Sequence, residues 1–190
     1  MLEDILGTTD LDAFIADYKE ADYEEFQQMV TALNDYINDG RSESFTLNGS
    51  SYKTQSDKTD LTENLNGVFS IAGAEKWTYG NHFGNYPIST VYENVYDVRE
   101  SAPDKADLMK SSIVKSLEEL DFLSNYAAGP EGETKRGSQF INSTVTGYDQ
   151  AVQTFAESKA IFIKNGNWTY SNIANIAPEE IGRASCRERV

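Results

Sequence analysis

Apolar residues return at helical spacing in two stretches near the start of the chain. Leu11, Phe14, Ile15 and Tyr18 share one side of a helix predicted over residues 10–19, with Thr9 or Asp10 as its cap. Tyr23, Phe26, Val30, Leu33 and Ile37 mark a second helix, opened by the capping-box pattern Asp22-Tyr-Glu-Glu25 and stopped at Asn38-Asp39-Gly40. Residues 41–66 then turn polar. Within them Phe45-Thr-Leu47 and Tyr52-Lys-Thr54 flank Asn48-Gly49, which predicts a small hairpin, read as a polar insertion and not as part of the core.

Two short apolar runs follow different rules. Residues 68–72, bounded by Gly67 and Gly73, predict a strand, and residues 160–163 predict another that is covered on both faces. Between them the longest helix is expected over residues 107–126, with Leu108, Met109, Ile113, Leu117, Leu120 and Tyr126 along its apolar stripe. Thr146-Gly-Tyr-Asp149 is expected to cap a helix carrying Tyr148, Val152 and Phe155. Residues 131–138 read as a loop, residues 168–173 as a short helix, and residues 74–95 as an aromatic and polar stretch without a clear element. Helices alternating with apolar strands predict an α/β layer architecture, with the helices packed on an incomplete sheet.

Composition narrows the possibilities. A chain of 190 residues can bury one adequate core, and 39% hydrophobic residues are too many for a disordered tail. Thirty-one acidic against 16 basic residues give a net charge of −15, which argues against a nucleic-acid partner because phosphates need a basic face. No apolar run approaches the roughly 20 residues of a membrane span. No Asp-x-Asp-x-Asp-Gly loop accompanies the acidity, so calcium is not expected.

The last ten residues differ in character from the rest. Ile181-Gly-Arg-Ala-Ser-Cys-Arg-Glu-Arg-Val190 matches, codon for codon, the translation of a sequencing-library adapter, and residues 181–190 are expected to be a non-native tail. They hold the single cysteine, so neither a disulfide framework nor a thiolate metal site is expected. Met1-Leu-Glu-Asp-Ile-Leu6 has neither the basic nor the apolar region of an export signal. The expectation is a fragment of a longer protein.

Candidate chemistry is sparse. His82 is the only histidine; it cannot build a multi-histidine metal site, and without a Gly-x-Ser-x-Gly elbow it does not point to a serine triad. No phosphate-binding loop is present. What stands out is the placement of the two tryptophans. Trp77 follows the first predicted strand and Trp168 the second, and ligands of α/β sheets sit beyond the carboxyl ends of strands. Their flat apolar faces would match the C–H faces of a pyranose, with Glu75, Asn81, Asn165 and Asn167 to meet its hydroxyls. Burial of both indoles in a core or interface fits the same spacing.

One stretch adds a resemblance. Tyr148-Asp-Gln-Ala-Val-Gln-Thr-Phe-Ala-Glu-Ser-Lys-Ala-Ile-Phe-Ile-Lys-Asn-Gly-Asn-Trp-Thr-Tyr-Ser-Asn-Ile173 resembles the extracellular solute-binding proteins of carbohydrate ABC transporters, of the maltose-binding type. The shared pattern is a helix ending in Phe, a small-residue turn, a strand, then Gly-x-Trp-x-aromatic-Ser-Asn. Asp22-Tyr-Glu-Glu-Phe26 is similar to that family's Trp-Glu-Glu-Phe helix start, and Val68-Phe-Ser-Ile-Ala-Gly-Ala-Glu-Lys-Trp77 to its following strand and ligand loop.

The resemblance implies one part of a bilobal periplasmic-binding-protein fold (type II-like), residues 1–180 forming a partial C-terminal lobe with the insertion at 41–66. It implies a non-catalytic receptor that closes on a sugar or oligosaccharide and docks on membrane permease subunits. Trp168 is then the stacking aromatic, Tyr170 the next aromatic place, and Glu75 and Trp77 the Glu-x-aromatic loop, with Asn81 and His82 further along that loop. No cofactor and no metal are implied. The setting is extracellular, periplasmic or a cell-surface lipoprotein, with the membrane touched only through an anchor absent from this chain. A fragment of a glycoside hydrolase, with carboxylates such as Glu75 or Glu157 as its acids, is the competing expectation, and a surface interaction domain a third.

Overall fold

The computed structural model describes residues 1–129, 141 and 146–178, with His82 described by its backbone. The loop expected at 131–138 and the tail at 181–190 lie outside the described residues.

Three helices open the chain: α1 (Leu2–Leu6), α2 (Leu11–Glu20) and α3 (Tyr23–Asp39). Asp10 caps α2 by accepting from Ala13 N–H at 3.0 Å. At α3 the expected capping box is present in both directions: Glu25 N–H donates to Asp22 Oδ1 at 2.9 Å, and Asp22 N–H donates to Glu25 Oε2 at 3.1 Å. The hairpin follows as β1 (Ser44–Leu47) and β2 (Ser50–Lys53), antiparallel and joined through Asn48 and Gly49. Both turn residues have positive φ, 48° and 79°, the geometry that matches the twist of the flanking strands.

β3 (Gly67–Ser70) leads into α4 (Lys76–Tyr79), a π-helical turn (Gly80–Gly84), α5 (Asn85–Val91), α6 (Val95–Ser101) and the long α7 (Ala106–Asn125). After α8 (Tyr148–Ala156) the chain enters β4 (Ala160–Ile163) and ends its described part with α9 (Thr169–Ile176). β3 and β4 pair in parallel, with Phe69 opposite Phe162, and Ala127 adds a single parallel bridge to Phe69. The architecture is α/β, with helices packed on a two-stranded parallel sheet.

The main core joins α3 to both sheets: Met29, Val30, Leu33, Tyr36 and Ile37 pack with Phe45, Leu47, Val68, Phe69 and Ile161. The one polar atom that Tyr36 brings inside is satisfied by Thr62 Oγ1 at 2.8 Å. A second cluster, Val152, Ala156, Ile173 and Ala177, holds α8 and α9 together. Among the described residues no helix is long and apolar enough to cross a membrane.

Three expectations change. The hairpin within residues 41–66 is part of the core, because Phe45 and Leu47 close its lower side and are almost fully buried. On α7 the expected stripe divides: Leu108, Ile113 and Leu117 face solvent, while Leu120 faces inward as expected, beside Ser116 and Leu123. The hydroxyls explain this rotation: Ser116 donates to the Phe83 carbonyl at 2.8 Å and Ser112 pairs with Thr90 at 2.6 Å, so polar contacts fix the inner face. At α8 the cap position belongs to Gly147, and Thr146 makes no capping bond.

Candidate functional site

The carboxyl ends of β3 and β4 lie side by side because the strands are parallel and in register, so the segments leaving them emerge at one edge. From β3 the chain passes through Glu75, at the cap position of α4, to Trp77 on that helix. From β4 it passes through Asn165 and Gly166 to Trp168, which stands at the cap position of α9. Both indoles are open: Trp77 is 44% exposed and Trp168 is 49% exposed.

Tyr148, at the start of α8, connects the two segments. Its ring packs against Trp77 at a centroid distance of 5.5 Å, tilted by 40°. Its hydroxyl accepts from Asn172 Nδ2 at 2.9 Å and pairs with Thr169 Oγ1 at 3.2 Å, both on α9. One phenol therefore bridges the helix bearing Trp77 and the helix that Trp168 opens. The strand-end edge that carries these two segments is the rim, and Tyr148 links them.

Glu75 completes this corner. Ala74 N–H donates to the Thr146 carbonyl at 2.9 Å, which brings the loop after β3 against the start of α8. The carboxylate then lies beside Gly147, so close that a Cβ there would meet Oε1 at 3.2 Å. Oε2 of Glu75 is buried without a hydrogen-bond partner, as is Oγ1 of Thr146. A buried acceptor left unpaired is an uncommon feature in folded proteins.

Around Trp168 the local order is set by short-range bonds. Asn165 Oδ1 accepts from Gly166 N–H at 2.9 Å, Thr169 N–H donates to the Gly166 carbonyl at 3.0 Å, and Ser171 Oγ donates to the Trp168 carbonyl at 2.9 Å. Thr169 is buried while Tyr170 beside it is 53% exposed. Tyr170, two residues after Trp168, thus presents its ring to solvent. Asn81 is exposed in the π-helical turn that continues α4, and His82 follows it there. The structure brings Trp77 against Tyr148 and Glu75 against Gly147 and ties Tyr148 to α9, the helix that Trp168 opens and that carries Tyr170, whereas Asn81 and His82 are joined to them by continuity of the chain.

Behind the rim, a cavity of about 310 Å³ opens at the same strand ends, bounded by aromatic rings that include Phe69, Phe162, Tyr79 and Phe83. Lys164 pairs with Glu119 at 3.2 Å on its wall, and the Lys164 ammonium lies 4.4 Å from the centre of the Phe83 ring. The hydroxyl of Tyr79 is buried without a partner, and burial pushes its pKa far above the usual phenol value.

Sequence reasoning did not find Tyr148 as the link, because the pairing of residues 77, 148 and 172 crosses the whole second half of the chain. The single signal was an aromatic at the first position of a helix. The cavity had none, since its walls read as ordinary core positions. Among the described residues no group of three or more His, Cys, Asp or Glu side chains is placed to hold a metal ion. No protein-family model, no curated protein and no solved structure matches the chain.

Proposed function

We propose that this chain is the carbohydrate-binding part of a non-catalytic solute receptor serving an ABC transporter, and that it forms part of one lobe of a bilobal binding protein. The observation that carries the reading is a pair of half-exposed indoles on two segments that Tyr148 links. Flat apolar faces with few polar groups between them suit a pyranose, whose ring carbons present C–H faces and whose edge presents hydroxyls. Trp77 and Trp168 supply the faces and Tyr170 a further ring. Glu75, at the corner beside Gly147, supplies the acceptor in this reading.

In this reading Asn81 and His82, further along the chain from Trp77, would meet a longer saccharide. The ligand is a sugar or oligosaccharide, the partners are permease subunits, and the setting is outside the cytoplasmic membrane. Closure on the ligand follows from differential affinity: the arrangement in which a second wall touches the sugar is favoured only while sugar is present.

The test is titration of the full chain with a panel of soluble oligosaccharides of differing linkage, followed by tryptophan fluorescence and calorimetry. One class of saccharide is expected to give a saturable change, with the sugar recovered intact by chromatography. Trp168→Ala is expected to remove about 2 kcal/mol or more of binding free energy, roughly 30-fold in affinity. Cleavage of the sugar would replace the receptor by a hydrolase, and silence across the panel would end the carbohydrate reading.

A further inference from the structure

We infer that Ser116 on α7 is a positioning residue for the π-helical turn that carries Asn81 and His82, because it supplies a hydrogen bond that Pro87 withholds. From Lys76 to Val91 the chain is one helical run through α4, the π-helical turn and α5, with right-handed helical angles at the junction residues Tyr79, Gly80, Gly84 and Asn85. Pro87 therefore stands inside a helix and not at a free start. A proline there has no N–H for the carbonyl four residues back, and its ring crowds that carbonyl. Here that carbonyl belongs to Phe83, in the turn that has widened from α to π. Such a break in helical geometry goes with an internal proline.

Both Pro87 and Phe83 are buried, so the missing donor has to come from the protein. Ser116 is that donor: its buried hydroxyl meets the Phe83 carbonyl at 2.8 Å. One turn earlier on α7, Ser112 Oγ pairs with Thr90 Oγ1 at 2.6 Å, so two hydroxyls on one face of α7 hold the run on both sides of Pro87. The other end of the run is fixed separately, since Thr78 Oγ1 donates to the Ala72 carbonyl at 3.0 Å and Trp77 packs on Tyr148. The π-helical turn takes up the mismatch between these two anchorages. One extra residue in a turn rotates everything before it by about 100° relative to an unbroken helix. Without the Ser116 bond a buried carbonyl is left unpaired and the turn loses what holds its shape. The inference rests on the saccharide reading only for the use made of Asn81 and His82; the pairing of Ser116 with Pro87 does not depend on it.

The test is a double-mutant cycle on the full chain, with Ser116→Ala, Pro87→Ala and the two combined, followed by urea unfolding and by proton NMR of the imidazole. His82 is the only histidine, so its ring signals report on the turn alone. With Pro87 in place, Ser116→Ala is expected to lower the folding equilibrium constant about tenfold and to displace the His82 signals. With Pro87→Ala the backbone has its own N–H to give; the same serine change is then expected to cost no more than about threefold and to leave the signals where they were. A Ser116→Ala chain that folds only when combined with Pro87→Ala would be the same coupling in its strongest form. Equal losses in the two backgrounds overturn the exchange of one donor for the other. Unmoved His82 signals in folded Ser116→Ala overturn the positioning role. The cycle is read without saccharide, so a silent sugar panel ends the receptor reading and not this one.

Discussion

The benzene portion of the Trp168 indole lies over the Cα of Gly166: a Cβ added there would stand 2.1 Å from both Cζ3 and Cη2. A side chain there would have to displace the half-exposed ring two residues on, so the glycine of the Gly-Asn-Trp segment is what lets the indole rest on it. Gly166→Ala is expected to swing the indole off its seat, costing about 1–3 kcal/mol of stability if the ring cannot relocate freely. Near-ultraviolet circular dichroism and thermal unfolding read the two parts separately. An unchanged tryptophan signal in the alanine variant would show that the ring does not rest there.

Tyr148 tests the bridge between the two halves of the rim. Tyr148→Phe retains the ring against Trp77 but removes the hydroxyl that Asn172 and Thr169 meet. The expected cost is about 1 kcal/mol by chemical denaturation, with α9 loosened and the Trp77 environment little altered. Tyr148→Ala should disturb both tryptophans. Hydrogen exchange of the amides in α9 distinguishes these outcomes, and equal protection in wild type and Tyr148→Phe would remove the bridge from the account.

On α7 the inward face predicts unequal responses to mutation. Leu120 is 9% exposed and Leu117 is 56% exposed, three positions apart on one helix. Leu120→Ala is expected to cost about 2–4 kcal/mol through lost burial and a residual cavity. Leu117→Gln should stay within about 0.5 kcal/mol. Urea unfolding of the two variants decides the matter, and similar losses would mean that Leu117 is buried along with Leu120.

That helix also shows where sequence reading stops. α3 was legible down to its capping box, because the cap is local and its apolar positions face the largest part of the core. β4 matched to the residue, since a short apolar run between turns leaves little choice. α7 was found at its correct length but rotated, because serines and not leucines meet the π-helical turn, and hydroxyl-to-carbonyl bonds leave no hydrophobic signature. Residues 74–95 gave no periodicity for a related reason: three short helical pieces succeed one another there, each too brief to repeat a pattern. For the rim, the strand-end rule located the tryptophans, but the contacts through Tyr148 and Gly147 depend on segments about 70 residues apart in sequence and are set by the parallel pairing of β3 and β4.

The acid limb of stability should carry the mark of Asp97. Its carboxylate accepts from Lys105 Nζ at 2.7 Å, from the Ser101 hydroxyl and from the Glu93 N–H at 3.1 Å. Led by the Lys105 bond, these hold its pKa down at about 2, below the ordinary 3.8. A carboxyl whose pKa is lower folded than unfolded favours the folded state when it is ionised. The contribution is therefore complete above the unfolded value, declines as the pH falls below about 4, and is gone once the pH passes below about 2. Asp97→Asn keeps the shape and removes the titration. The stability difference between wild type and Asp97→Asn should be constant from pH 7 to about 5 and should shrink steadily toward pH 2. High salt should narrow it as well, since the Asp97–Lys105 pair lies near the surface. A difference that stays flat throughout the acid range would mean that Asp97 is no better served in the folded chain than in the unfolded one, and that the link between α6 and the start of α7 rests on packing alone.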